Sequence, residues 1–167
     1  MVEIPSEEER TTAVGLARYA YEYIEAAQVV DAHIGAREEY SFVSPIPAYF
    51  LASHGIELTL KAFLRHNGVT ARQLASQTYG HDLNACFRKA KELDLEDVFK
   101  MTQSDLKAMQ LLIELNRGMG LRYIRTGPKD FPSWAIVAPF AVRLHQAVAP
   151  LVGFKTFTAT IAPIEST

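Results

Sequence analysis

The sequence predicts an all-α protein: an antiparallel bundle of four to five helices in one domain spanning residues 1–167, with a short irregular or edge-strand tail. Three observations carry this. Apolar residues recur at steps of three and four along most of the chain, Gly and Pro punctuate the intervals between those segments, and only the stretch "FKTFTATIA" alternates with a period of two. A chain of 167 residues, 49% hydrophobic and 22% charged, suits a globular domain that buries about two-thirds of the surface its unfolded form exposes.

The first helix is predicted from Ser6, where Ser6-Glu7-Glu8-Glu9 has the form of a capping box, with Leu16, Ala20, Tyr23, Ala27, Val30 and Ile34 as its inward stripe. Gly35 can end it, and Pro45 and Pro47 suit the start of a successor. That second helix, Pro45 to His66, is apolar almost all round. Ile46, Tyr49, Phe50, Ile56, Leu60, Phe63 and Leu64 fill one side, and Leu51, Gly55, Leu58 and Ala62 cover the flank. Its single polar arc is His54, Glu57, Lys61 and Arg65, which places the helix at the centre of the bundle. Gly68 is the expected C-terminal cap.

After a connection, a third helix starts at Asp82, with Leu83, Cys86, Phe87 and Ala90 inward. A fourth starts near Thr102-Gln103-Ser104-Asp105, with Leu106, Met109, Ile113 and Asn116 on its inner stripe. "NRGMGLRYIRTGPKDFP" reads as a basic loop. A last helix runs from about Ser133 to Leu151, where Pro139 either kinks it or marks its first turn.

Lys and Arg number 17 against 19 Asp and Glu, so whole-molecule charge argues for neither nucleic acid nor membrane as partner. The lone Cys86 suits a reducing compartment. The acidic opening "VEIPSEEER" is unlike a signal peptide, and no 18-residue window is uninterruptedly apolar. A soluble, cytoplasmic protein with no membrane association is expected.

Three constellations could carry chemistry. His54, His81 and Asp82 could hold a divalent metal in the manner of HD-type phosphohydrolases. Asp82, however, follows Gly-His and precedes an apolar residue, the place of a helix N-cap contributing about 0.5 to 2 kcal/mol, and the sequence demands no metal or other cofactor. Glu57 and Lys61 are spaced for an i,i+4 ion pair of about 0.2 to 0.5 kcal/mol if exposed; alternatively Glu57 orients His54. Finally, Arg117, Arg122, Tyr123, Arg125 and Lys129 place cations and an aromatic among glycines, a pattern suited to phosphates or RNA; alternatively they are solvated loop charges, or Arg122 is a structural arginine bonded to helix-end carbonyls. Cys86 lies on an inward stripe, where a thiol is inert filler.

The combination "SHGIELTLKAFLRHNG … YGHDLNACFRKAKEL … LNRGMGLRY" resembles the HEPN family (higher eukaryote and prokaryote nucleotide-binding domains). The resemblance rests on His54, Glu57, Lys61 and Ala62 in helix two and on His81-Asp82-Leu83 opening helix three, and covers about Ala48 to Tyr123. It implies an all-α bundle, often homodimeric, of the kind found in toxin-antitoxin, defence and nucleotidyltransferase-associated systems. Many members are metal-independent ribonucleases with an Arg and a His separated by four to six residues. Arg117 stands where that Arg would, but Arg122 and Tyr123 occupy the positions of the His, so the nuclease role is not carried over.

The expectation is thus a non-catalytic HEPN-like domain that binds RNA, a nucleotide or a protein partner (a nucleotidyltransferase, or the other half of a toxin-antitoxin pair). Arg117, Arg122, Tyr123 and Arg125 form its phosphate-facing surface. His54, Glu57, Lys61, His81 and Asp82 form a polar seam between helix two and the start of helix three. The alternatives are the metal-dependent phosphohydrolase using His54, His81 and Asp82, and a dimerisation or interaction module that binds no nucleic acid.

Overall fold

The computed structural model describes residues 6–123 and 126–158. The described residues form eight α-helices and no strand, an all-α bundle: α1 (Glu7–Arg10), α2 (Ala13–Ile34), α3 (Ile46–His66), α4 (Ala71–Ala75), α5 (Leu83–Glu92), α6 (Leu95–Val98), α7 (Gln103–Asn116) and α8 (Trp134–Val148), with short 3₁₀ turns at Glu38–Tyr40, Arg117–Met119 and Ala149–Val152.

Helix α3 is the axle of the bundle, in contact with α2, α4, α5, α7 and α8. Ile56, Leu60 and Leu64 are fully buried, each contributing about 1.5 to 3 kcal/mol of burial. Ile46, expected inward, is exposed instead, because it is the first residue of the helix and lies beyond its neighbours. The helix ends in a Schellman motif: Gly68 takes a φ of 90°, and the amides of Val69 and Gly68 donate to the carbonyls of Leu64 and Arg65.

The first predicted helix is two helices. Thr12 accepts a hydrogen bond from the Gly15 amide at 3.1 Å and caps α2, so the chain restarts there rather than continuing from Ser6. Arg65 of α3 stabilises the break, donating to the carbonyls of Thr11 (3.0 Å) and Glu8 (3.2 Å). The buried stripe of α2 is Ala17, Ala20, Ile24 and Ala27, rotated from the expected one toward its alanines. Those small residues let α2 lie close against α3.

Further departures have local causes. The connection after Gly68 contains α4, opened by a capping box between Thr70 and Gln73. In α7 the inward face includes Asp105, Ala108, Met109 and Leu112 while Leu106 is exposed, because Asp105 turns in to pair with Arg143 at 2.5 Å. Helix α8 starts at Trp134, so Pro139 lies in its interior and marks no first turn. The segment Trp134–Val152 is long and apolar enough to cross a membrane; here it packs as a core helix against α2, α3 and α7.

No edge strand forms over residues 154–158, and residues 159–162 of the predicted strand lie outside the described part. Phe157 stacks on Tyr21 with ring centroids 4.3 Å apart, and Phe154 and Phe157 both pack on the His145 ring. The fully buried His145 donates through Nε2 to the Ala17 carbonyl (2.8 Å) and accepts at Nδ1 from the Thr156 hydroxyl (2.6 Å). Burial lowers its pKa against the opposing Ala17 hydrogen bond, so it stays neutral and stitches the tail to α2.

A Cβ at Gly55 would meet Ile24 Cγ1 at 2.6 Å and the Ala20 carbonyl at 3.2 Å. Replacing a helix-interior glycine with alanine ordinarily gains about 1 kcal/mol. Gly55→Ala is instead expected to lose about 1 to 3 kcal/mol through overpacking, read as a lower urea midpoint; a gain would show that α2 and α3 are not this close.

Candidate functional site

The polar arc of α3 is buried under a second segment. Glu57 and Lys61 are 3% and 7% exposed, and Lys61 Nζ donates to Glu57 Oε1 at 2.7 Å and to the Gly80 carbonyl at 2.8 Å. The pair is therefore not the exposed i,i+4 bridge of the simpler expectation. It joins α3 to the turn that leads into α5. The Glu57 carboxyl is pulled upward by burial, but the His54 ring and the Lys61 ammonium more than reverse this and hold it below the ordinary carboxylate range. His54 Nδ1 lies 3.9 Å from Glu57 Oε2, and its ring is fixed by Tyr23, edge-on at 4.5 Å, and by Phe50, parallel at 6.3 Å.

Two residues after Gly80, Asp82 accepts the Ala85 amide at 2.9 Å and caps α5. His81 is exposed beside it. Partial burial and the charge of Arg122 lower the His81 pKa, so the imidazole is neutral near pH 7 and able to exchange hydrogen bonds in either direction. Across from it, α7 ends at Asn116, and the chain turns through Arg117 with Gly118 at a φ of 62°.

These segments enclose an open cleft of about 530 Å³, whose lining includes Ser76, Gly80, His81, Asp82, Asn116 and Arg117. A narrow recess of about 10 Å³ lies beside it, lined by Phe50, Ser53, His54, Glu57, His81, Asn116 and Arg122. His81 and Asn116 line both. Arg122 is held over Phe50, its guanidinium carbon 5.7 Å from the ring centroid, a cation–π arrangement that keeps the cation at the recess.

The structure thus brings His54, Glu57, His81, Asp82, Arg117 and Arg122 to one region, with Lys61 bracing it from behind. Tyr123 is exposed and lines neither the cleft nor the recess, and Arg125 lies outside the described residues. The site also takes in Ser53, Phe50 and Asn116, which the sequence does not single out as site residues. Ser53 and Phe50 flank the polar arc, and their nearness to His54 is the one signal for them. Asn116 lies on the expected inner stripe of α7.

The ligand set of the metal-dependent alternative is not assembled. Asp82 is engaged as a cap, and among the described residues no group of three His, Cys, Asp or Glu side chains is placed to hold a metal ion. Cys86 is buried and its thiol is pushed up to about 12 by that burial, which leaves it no thiolate chemistry near neutral pH.

Comparison with protein-family models, with curated proteins and with solved structures finds no match to this chain.

Removing one member of a buried ion pair strands the other. Lys61→Met is expected to lose about 3 to 5 kcal/mol in urea unfolding, while Glu57→Leu combined with Lys61→Met recovers most of it. Equal losses in the single and double variants would show that Lys61 acts by its bond to Gly80 alone.

Proposed function

We propose that the cleft is a binding site for the phosphate of an RNA or nucleotide ligand on a HEPN-like domain that lacks the family's Arg/His ribonuclease pair. The observation that carries this is that Arg117 lines the cleft and Arg122 the recess beside it, with His81 and Asn116 lining both. Asn116, Arg117 and Arg122 come from the end of α7 and the loop that follows it, and His81 from the turn before α5, far earlier in the chain. Two guanidiniums supply charge and bidentate hydrogen-bond geometry for phosphate oxygens, while the neutral His81 and Asn116 supply adaptable polar groups. Glu57, the carboxylate at the recess, is neutralised by Lys61, and Asp82, the carboxylate of the cleft, is engaged as the cap of α5. A cleft of about 530 Å³ also falls within the range that small ligands occupy, about 300 to 1,000 Å³.

A second reading, a protein-interaction or dimerisation module, is favoured by a different surface. Phe42 is fully exposed, and Val43 and Ile46 near it in the chain are also exposed. Such residues suit a protein partner such as a second copy or the other member of a toxin-antitoxin pair.

Binding of a short labelled single-stranded RNA, followed by anisotropy at several salt concentrations, separates the two. Wild-type protein is expected to bind with strong salt dependence, and Arg122→Ala to weaken binding and flatten the slope of log affinity against log salt by about one. Absence of RNA or nucleotide binding at low salt would leave the interaction module as the standing reading.

A further inference from the structure

Ser53 is 2% exposed, and its hydroxyl is buried with no hydrogen-bond partner among the described residues. An unpaired buried hydroxyl is costly and rarely kept without a partner. This one lines the recess, which it shares with Glu57 one helical turn further along α3. Ser53 and Glu57 are almost wholly buried, while His81 and Arg122 are exposed, so the recess has its floor at the first pair and its mouth at the second. Its size of about 10 Å³ admits about one oxygen-sized group.

The chemistry of the floor selects that group. Glu57 Oε1 is taken by Lys61, while Oε2 stands 3.9 Å from His54 Nδ1, close enough for the ring to lower the carboxyl's pKa yet too long to saturate the oxygen as an acceptor. That oxygen can accept one more proton donor, and the Ser53 hydroxyl can donate or accept. A phosphoryl oxygen has no proton to offer a carboxylate, and an apolar group would leave both floor groups unpaired. A hydroxyl satisfies both at once, donating to Glu57 and accepting from Ser53.

We infer that the recess is a subsite for a hydroxyl group carried next to the ligand's phosphate, with Ser53 as the residue that reads it. The inference rests on the phosphate reading above and narrows its ligand to a phosphate ester with a neighbouring hydroxyl, as in a ribose phosphate. The phosphate lies between Arg122 at the mouth of the recess and Arg117 in the adjoining cleft, and the hydroxyl points down past His81 and Asn116.

Equilibrium binding of adenosine 3′-monophosphate and of its 2′-deoxy counterpart, to wild-type protein and to Ser53→Ala, tests this. The wild type is expected to prefer the hydroxyl-bearing nucleotide roughly tenfold, the worth of a well-made hydrogen bond in a site that otherwise leaves polar groups unpaired. Ser53→Ala, which keeps a good helix former at that position, is expected to abolish the preference while leaving the affinity for the deoxy compound unchanged. If both nucleotides bind the wild type equally, the recess holds only a water: the inference fails and the phosphate reading stands. A preference that survives Ser53→Ala also overturns it. If neither nucleotide binds, the phosphate reading falls and takes the inference with it.

Discussion

Helices α2 and α3 lie against one another only because residue 55 has no side chain. The space a Cβ would need at Gly55 is already held by Ile24 and by the backbone of Ala20, and the alanines at 17, 20, 27, 48 and 52 complete a contact made of small residues. Close approach at this point does more than fill the core. Gly55 stands between His54 and Glu57, so it also brings Tyr23 edge-on to His54. Packing of α2 on α3 thereby orients His54, the first residue of the polar arc.

The second constraint is electrostatic. A buried carboxylate and ammonium cost several kcal/mol each to desolvate and return that cost only where geometry and further hydrogen bonds are good. Lys61 meets the condition by spending a second donor on Gly80, the residue before His81. The bridge is therefore also a positional device. It fixes the turn that presents His81 and lets Asp82 cap α5, and it leaves Arg122 at the recess without an opposing free carboxylate.

Much of the fold was legible because periodicity and punctuation are local signals. The bounds of α3, the Gly68 terminus and the caps at Asp82 and Thr102 follow from residue types at fixed offsets. What was not legible depended on partners distant in sequence. The break between α1 and α2 is stabilised by Arg65, more than fifty residues away, and the rotation of α7 follows from Arg143 drawing Asp105 inward. The tail alternates as a strand would, yet Phe154, Thr156 and Phe157 find their partners in Tyr21 and in the buried His145. In the same way, the polar arc of α3 and the arginines after α7 could each be picked out from the sequence, but only tertiary structure shows that His81 and Asn116 join them. Ser53 has only its place beside His54 as a sequence signal, a weak one, since a lone serine on a helix most often points to solvent or back to its own backbone.

On the reading proposed above, the region around His54, His81 and Arg122 receives an anionic, phosphate-bearing ligand. The five histidines offer a direct probe, because His54 and His81 line the recess whereas His33 and His66 are exposed elsewhere and His145 is sealed in the core. Imidazole resonances followed by NMR during titration with a nucleoside monophosphate should move for His81 and His54 and stay fixed for His33, His66 and His145. Unmoved resonances at His54 and His81, or shifts confined to the other three, would contradict the assignment of this cleft as the binding site.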